Sequence, residues 1–181
     1  MRLFTMDERF EALVDVAQDI PGQTGNGLVN LLRSERDRII VAPASRKAHQ
    51  AWPGGYIGHV HDMILLAHAI YGAISMQNRP LSFLLTDADA AILLHDIEKP
   101  WKYDSANIIA LNTKQEREVF REHIIGKYEI QPSKDVWNAI KYAEGETTDY
   151  VPGKRKMGRL AAFVHSCDVM SARCFFDRPM P

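Results

Sequence analysis

The feature that most constrains this chain is an apolar segment near its middle that carries two adjacent polar residues. Residues 91–94 read Ala-Ile-Leu-Leu and are followed at once by His95 and Asp96. Pro100 ends the segment, because proline cannot continue a helix. A carboxylate beside an imidazole at the end of an apolar helix is costly to bury unless a charged group pairs with them. Neutral imidazole and carboxylate together suit Mn, Fe, Co, Ni or Zn. The doublet is therefore either a metal-binding pair or a capping pair that faces water.

Composition and charge limit the class of protein. The chain has 181 residues, of which 46% are hydrophobic, enough for one globular domain with a sizeable core. Its formal net charge of -1 provides no overall attraction to nucleic acid or to an anionic membrane. The apolar runs fall short of the roughly 20 residues of a membrane span, and the N-terminus becomes acidic too early for a signal peptide. We therefore expect no membrane partner.

The two cysteines predict a reducing environment. Cys167 and Cys174 are seven residues apart in a predicted helix, which separates their Cα atoms by roughly 10 Å. That distance is too long for a disulfide between them. A cytoplasmic protein is the expectation that follows.

Hydrophobic periodicity predicts an all-α bundle of six or seven helices. Apolar residues recur at helical spacing along most of the chain, and no strand pattern is convincing. Thr86 is the expected N-cap of the central helix, and residues 23–27, 42–58, 101–104 and 147–158 are expected to be loops. The other predicted helices cover residues 7–19, 28–41, 58–74, 114–127, a segment starting at 132–133, and 159–175.

Polar residues on the apolar faces of other helices supply further ligand candidates. His59 directly follows the glycine-rich loop, and Asp168 shares a face with apolar residues of the last helix. A carboxylate in that position needs a partner, either a metal or an Arg or Lys side chain. His61 lies about 200° from His59 around the helix, so the two histidines cannot point at one site. His68 is interpreted as a partly buried histidine with a polar partner.

The ordered set of His59, His95-Asp96 and Asp168 resembles the H…HD…D pattern of the HD-domain metal-dependent phosphohydrolases. Longer segments are similar to the branch that includes 3′→5′ exoribonucleases. Residues 42–59 resemble that branch's PAA-x-x-x-HH-A-x-x-GGLLEH-like run, and residues 93–100 resemble its LLHDIGKP motif. Residues 122–126 resemble its GHI-x-x-G, and residues 163–172 its final ligand segment. The resemblance covers roughly residues 42–173.

The resemblance implies a single-domain helical bundle of the HD type. Residues 42–176 would form the HD metal-binding domain, residues 1–41 would be N-terminal helices packing on it, and residues 177–181 would be a tail. One divalent metal, which would be Mn, Fe, Co, Ni, Mg or Zn, is expected in this domain. The residues implied to hold it are His59, His95, Asp96 and Asp168.

In two-metal members of the family, the positions of His123 and Glu144 would hold a second metal. It is at these positions and in the motifs around them that this chain departs from the pattern. The family's HHG is Ala143-Glu144-Gly145 here, its histidine pair before the glycines is His49-Gln50, and the glycine of HDIG is Glu98. Glutamate is a competent oxygen ligand. The alternatives are that His123 is a core histidine and that Glu144 pairs with Lys141 or Lys127.

The implied function is hydrolysis of a phosphoester in a nucleotide, by a nucleotidase or a phosphodiesterase. Asp96 is the expected ligand that also orients the attacking water, and Lys99 is expected to stabilise charge on a phosphate oxygen. Arg46, Lys47 and His49 are, with Lys99, the expected substrate-binding residues. For the basic residues, solubility is the competing explanation.

Three other functions are compatible with the sequence. The first is a 3′→5′ exonuclease on short single-stranded nucleic acid, against which the near-zero net charge and the lack of an OB-type module weigh. The second is a di-iron HD-type oxygenase, against which the missing histidine at position 144 weighs. The third is a binding protein without catalysis, against which the intact ligand set weighs. The expected partner is a small nucleotide or phosphoester, with an oligonucleotide second, and the sequence leaves the oligomeric state open.

Overall fold

The computed structural model describes residues 4–77, 79–104, 109 and 111–175, and their regular structure is helical. This confirms the predicted all-α class. The described residues hold one isolated β-bridge, between Val151 and Lys154, and no β-strand. The helices are α1 (Met6–Asp19), α2 (Gly22–Ser34), α3 (Arg36–Ile39), α4 (Gly55–Ser75), α5 (Leu85–Leu94), α6 (Lys99–Lys102), α7 (Lys114–Lys127), α8 (Lys134–Tyr142) and α9 (Arg159–Cys174), with a 3₁₀ turn at Thr147–Asp149.

Helices α4 and α5 lie at the centre of the bundle. Helix α4 packs against α1, α5 and α9, and α5 packs in addition against α2 and α8. One hydrophobic cluster joins the N-terminal helices to the rest and includes Phe10, Leu28, Ile57, Ile92 and Val164. Residues from α4, the end of α5 and α9 therefore meet inside the bundle.

Helix α2 begins at Gly22, so the predicted loop over residues 23–27 is wrong. The glycines that suggested a loop permit close packing instead. A Cβ atom on Gly25 would lie 1.8 Å from the carbonyl oxygen of Ile20, and one on Gly27 would lie 2.5 Å from the carbonyl oxygen of Tyr128. Because both contacts are with backbone atoms, larger residues would force the helix away from its neighbours.

The central helix also differs from its prediction at both ends. Its N-cap is Leu84 rather than Thr86, and the Leu84 N–H donates to the Asp87 carboxylate over 3.1 Å. Helix α5 ends at Leu94, and Pro100 lies in the first turn of α6. Proline is tolerated there because the N–H groups of the first turn have no acceptor within the helix. His95 and Asp96 consequently lie just beyond the end of α5, in a tight turn, and residues 101–102 are helical rather than looped.

The turn into α4 depends on Gly54 and Gly55. Gly54 has φ +79°, in the left-handed region that favours glycine. A Cβ atom on Gly55 would lie 2.0 Å from the carbonyl oxygen of Gln50. The loop before α4 therefore folds directly onto the start of the helix, one turn before His59.

Helix α4 corrects the expectation that no segment reaches membrane length. Its 21 residues are long and apolar enough to cross a membrane, as judged by length and composition alone. Core helices of soluble proteins meet the same criterion. In this fold Ile57, Met63 and Ala67 of α4 are buried in the protein core.

Candidate metal centre

Three elements bring four predicted ligands together in the interior of the bundle. His59 comes from α4, His95 and Asp96 from the turn after α5, and Asp168 from α9. Ligand atoms of His59, His95 and Asp96 all lie within 4.8 Å of one another. The Asp168 Oδ1 atom is 3.1 Å from His59 Nε2. His59, His95 and Asp96 are buried, which excludes the alternative of a capping pair that faces water.

His95 presents its Nε2 atom to the cluster. Its Nδ1 atom lies 2.7 Å from the carbonyl oxygen of Ile92. Because a carbonyl oxygen only accepts, Nδ1 carries the hydrogen, and in the neutral ring Nε2 carries the lone pair. That nitrogen lies 3.1 Å from Asp96 Oδ2. The ring is thus in the tautomer that a metal ligand requires.

His59 is held in a matching orientation by Ser171. The Ser171 hydroxyl oxygen lies 3.0 Å from His59 Nδ1 and 3.4 Å from the His59 carbonyl oxygen. When the hydroxyl donates to this carbonyl, it accepts the Nδ1 hydrogen, which leaves the Nε2 lone pair facing the carboxylates. Gln50 donates to the same hydroxyl over 3.4 Å. Residues from the loop, α4 and α9 therefore share one buried hydrogen-bond network.

The Asp96 carboxylate is the electrostatic centre of the cluster. The Lys99 ammonium contacts it directly, and both residues are buried. Although burial raises the pKa of Asp96, Lys99 and His95 outweigh it and hold that pKa well below its usual range. Burial lowers the pKa of His59 despite the nearby Asp168, whereas for His95 burial is outweighed by Asp96 and the pKa is raised. The site is built to stabilise a negative carboxylate beside a positive charge.

The donor set of this cluster fits a metal ion. Two imidazole Nε2 atoms, one from His59 and one from His95, are buried and make no hydrogen bond to a described residue. Both face carboxylate oxygens, and two lone pairs facing anionic oxygens call for a cation between them. Nitrogen and carboxylate oxygen together are the donors of a divalent transition-metal site. The His59–His95–Asp96 group can therefore hold a metal ion.

Of the three substrate-binding residues predicted on the loop before α4, His49 packs against the cluster. Its ring centroid is 5.0 Å from that of His59, and its Nε2 atom is buried without a partner among the described residues. Burial, together with His59 and Lys99, lowers the pKa of His49 to about 4. Arg46 and Lys47 are exposed on the same loop. Lys99, in contrast, points inward to Asp96.

The two residues expected to hold a second metal are exposed, and neither belongs to the buried ligand group of the described residues. His123 is exposed on α7, with its ring 6.4 Å from that of Phe120, so it is not a core histidine. Glu144 is exposed beside a cavity of about 30 Å³ that also touches His95. Lys114, Arg121 and Lys141 line the same cavity, and each of them pairs with a carboxylate, from Glu118, Glu98 and Asp149 respectively.

The alternative partners proposed for Glu144 are engaged elsewhere. Lys141 pairs with Asp149 over 3.0 Å, and Lys127 pairs with Glu35 over 2.9 Å. Glu144 therefore borders the small cavity without either of these ion pairs.

Arg121 supports the turn that carries His95 and Asp96. Its guanidinium donates to the carbonyl oxygens of His95 and Ile140, and its Nε atom lies 3.5 Å from the Glu98 carboxylate. Burial raises the pKa of Glu98 to about 7, although Arg121 opposes the shift. Glu98 and Arg121 thus tie α7 to the turn and to the end of α8.

Sequence reasoning missed Ser171, Gln50 and Arg121. A signal existed for Ser171, which is three residues after Asp168 and so shares its helix face. Gln50 has φ +42°, an unusual value for a residue other than glycine that no sequence pattern indicated.

Comparisons with protein-family models, with curated proteins and with solved structures gave no significant match. The HD-type resemblance and the activity that it implies therefore depend on the motifs and on the site itself.

Proposed function

We propose that this protein is a metal-dependent phosphohydrolase that acts on a phosphoester of a nucleotide. The observation that carries the proposal is the buried group of His59, His95 and Asp96, whose ligand atoms lie within 4.8 Å of one another. Asp168 adds a second carboxylate, 3.1 Å from His59 Nε2. Mn, Fe, Co, Ni and Zn suit this mixture of imidazole and carboxylate, and Mg, which prefers oxygen, suits it less well.

The expected chemistry divides between the cation and the chain. A divalent cation bound there would lower the pKa of water and polarise a phosphoryl oxygen. His59 and His95 are oriented for binding by Ser171 and by the Ile92 carbonyl. Asp96 would hold the cation and accept a hydrogen bond from the attacking water. The burial of these residues restricts bulk water around the reacting phosphate.

Lys99 has a specific expected task in this reaction. Its ammonium contacts Asp96 and neutralises that carboxylate. A bound divalent cation would take over this neutralisation. Lys99 is then free to pair with a non-bridging phosphate oxygen, where its charge stabilises the transition state. It is therefore proposed as a substrate-stabilising residue rather than a metal ligand.

No observation favours the oxygenase over the hydrolase. A di-iron centre needs a second complete ligand set, and the described part of α7 presents His123 to solvent rather than to the cluster. The intact single-metal set likewise gives no support to a binding protein without catalysis.

Product analysis by mass spectrometry tests the proposal. The Mn-loaded protein is incubated with nucleoside mono- and triphosphates, cyclic nucleotides and short oligonucleotides. We expect one substrate class to be consumed by the wild-type protein and not by Asp96→Asn. Lys99→Met should keep its bound metal but lose most of its turnover, and loss of metal would refute the role given to Lys99. No turnover of any phosphoester by fully metal-loaded protein would refute the proposed function.

A further inference from the structure

A groove of about 750 Å³ lies between the loop after α8 and the first turns of α9. Tyr150, whose side chain is 65% exposed, lines it together with Lys154, Arg155 and His165. The groove thus offers an aromatic surface and positive charges, but none of the cluster residues described above.

The loop that forms this groove is held by hydrogen bonds to its backbone. The Glu146 carboxylate accepts from the backbone N–H groups of Lys156 and Met157, over 2.7 Å and 2.5 Å. Asn138 of α8 donates to the Lys156 carbonyl over 3.0 Å and accepts from the Gly158 N–H over 2.7 Å. The backbone is therefore fixed while the basic side chains of the loop remain available.

Positive charge is concentrated along this loop. Four cationic residues occur within six positions, although the whole chain has a net charge of -1. Within the described residues, none of their side chains forms an ion pair. The acids nearest in sequence are engaged, since Glu146 accepts from backbone N–H groups and Asp149 pairs with Lys141. The four cationic residues are Lys154, Arg155, Lys156 and Arg159.

The groove adjoins the small cavity that touches His95. His165 is one helical turn before Asp168 on α9, and its Nδ1 atom lies 2.6 Å from the Ala143 carbonyl oxygen, which leaves Nε2 for a ligand. Gly145 and Thr147 line both the groove and the small cavity that touches His95. An adjoining surface pocket of about 490 Å³ continues past Arg155 to Arg159.

We propose that this groove binds the non-reacting part of the substrate, a nucleobase joined to two or more phosphates. Tyr150 provides a face on which a base can stack. Lys154 and Arg155 in the groove, with Lys156 and Arg159 on the adjoining surface, provide contacts for several phosphates. A single phosphate would leave most of these cations unused. The inference relies on the proposed function to place the reacting phosphate at His59, His95 and Asp96. Two sources share this chemistry, a free nucleoside polyphosphate and the end of a single-stranded oligonucleotide.

Fluorescence anisotropy on the full chain in EDTA tests binding separately from hydrolysis. The probes are a ribose-labelled nucleoside triphosphate and an end-labelled tetranucleotide, each titrated at several salt concentrations. Lys154→Gln/Arg155→Gln should weaken binding of the preferred probe about tenfold or more. For the oligonucleotide it should also reduce the slope of log affinity against log salt by about 1.4, because each phosphate contact contributes about 0.7 for single strands. Tyr150→Ala should weaken binding about 5- to 150-fold and leave the slope unchanged, because it removes stacking rather than charge.

Arg79→Gln/Arg173→Gln is the matched control, because it removes the same charge from exposed positions outside the groove. It should bind like the wild-type protein, and circular dichroism should show that all variants are folded. Tighter binding of one probe identifies the natural source of the ligand. Binding of neither probe, or equal binding by the two double variants, would overturn the inference. If a probe binds the groove but the Mn-loaded protein hydrolyses no phosphoester, the proposed function is refuted and groove binding is not, because groove binding is measured without metal.

Discussion

At the scale of single residues, Ser171 determines which ring nitrogen of His59 is left for a cation. Its hydroxyl is fully buried and lies 3.0 Å from His59 Nδ1. Ser171→Ala removes this partner and also the contact with Gln50. We expect the affinity for Mn²⁺ to fall about 10- to 100-fold, the usual effect of losing such a supporting hydrogen bond, as measured by isothermal titration calorimetry.

Ser166→Ala is the control for this measurement. Ser166 is exposed on the same helix and its hydroxyl donates to the Ala162 carbonyl, away from the cluster. Its metal affinity should match that of the wild-type protein. Equal affinities for the two serine variants would show that Ser171 does not orient His59.

A second residue-scale prediction concerns His61, on the opposite side of α4. It is buried next to Phe4, with ring centroids 5.6 Å apart, and its Nδ1 atom has no partner among the described residues. Burial, with Arg9 nearby, lowers the pKa of His61 to about 4 from about 6.5 in the unfolded chain. Between these values the unfolded state binds more protons, so stability falls as the pH decreases from about 6.5 to 4.

His61→Phe should remove this part of the pH dependence. Both proteins are compared without metal. As the pH decreases over that interval, the free energy of unfolding of the variant should fall by about 1 kcal/mol less than that of the wild type, a value that allows for solvent screening. Urea unfolding at pH 7, 5.5 and 4.5 measures the difference. His123→Phe, which alters an exposed histidine, should follow the wild-type curve. If the stability of His61→Phe falls with pH in parallel with that of the wild type, His61 is not the source of this part of the pH dependence.

The principal residues of the cluster were predictable, but their supporting contacts were not. The His95-Asp96 doublet was identified because polar groups at the end of an apolar helix need partners, and His59 because it directly follows the glycine loop and fits the H…HD…D order. The fold does bring their ligand atoms together. Ser171 contacts His59 across 112 positions of sequence, and Gln50 contacts Ser171 across 121. Helical periodicity gives the face of a residue but not its neighbour on another helix.

At the scale of elements, replacing two glycines of α4 by alanine should change the stability of the fold in opposite directions. Gly55 is at the start of the helix, where a Cβ atom would lie 2.0 Å from the Gln50 carbonyl oxygen. Gly72 is near the end of the same helix, and a Cβ atom there would meet nothing within 4 Å. Gly55→Ala should destabilise the fold by about 1 to 3 kcal/mol, the usual cost of forcing an extra methyl group into a packed site. Gly72→Ala should stabilise it by about 0.5 to 1 kcal/mol through helix propensity.

Urea unfolding of the two glycine variants measures both effects. A destabilisation of the same size in both would mean that the loop does not pack on the start of α4. Gly55→Ala should also weaken metal binding, because the displaced loop carries Gln50 and His49, whereas Gly72→Ala should not.

Local capping signals explain which helix boundaries were predictable. Helix α7 has its predicted bounds, and its start carries a capping box in which Thr113 accepts from the Glu116 N–H over 3.1 Å and Glu116 accepts from the Thr113 N–H over 2.7 Å. Helix α2 was predicted to begin late, because glycines read as turn residues when their close backbone contacts are unknown. Pro100 was read as a stop, whereas proline also suits a helix start.

At the scale of the whole molecule, metal binding should stabilise the fold, because the donors come from three separate elements. At a free Mn²⁺ concentration 100 times the dissociation constant, binding contributes about 2.7 kcal/mol. For a chain of this size that corresponds to a rise in Tm of about 5 to 10 °C. Differential scanning calorimetry with Mn²⁺ and with EDTA measures the shift.

Asp168→Asn should abolish most of this thermal shift while remaining folded in EDTA. Its carboxylate is 3.1 Å from His59 Nε2, and the amide that replaces it is a much weaker ligand. A full thermal shift in Asp168→Asn would exclude Asp168 from the site. The absence of any shift in the wild type would exclude the metal centre.

The position of α9 has a consequence for the protein during its synthesis. The ribosome makes His59, His95 and Asp96 first, and then roughly 80 further residues before α9 is complete, which takes several seconds at ordinary elongation rates. Until that point the nascent chain lacks both Asp168 and the Ser171 hydroxyl that orients His59. In the meantime Lys99, already present beside Asp96, supplies the neutralising charge. We therefore expect tight metal binding only after α9 has left the ribosome and packed against α4 and α8.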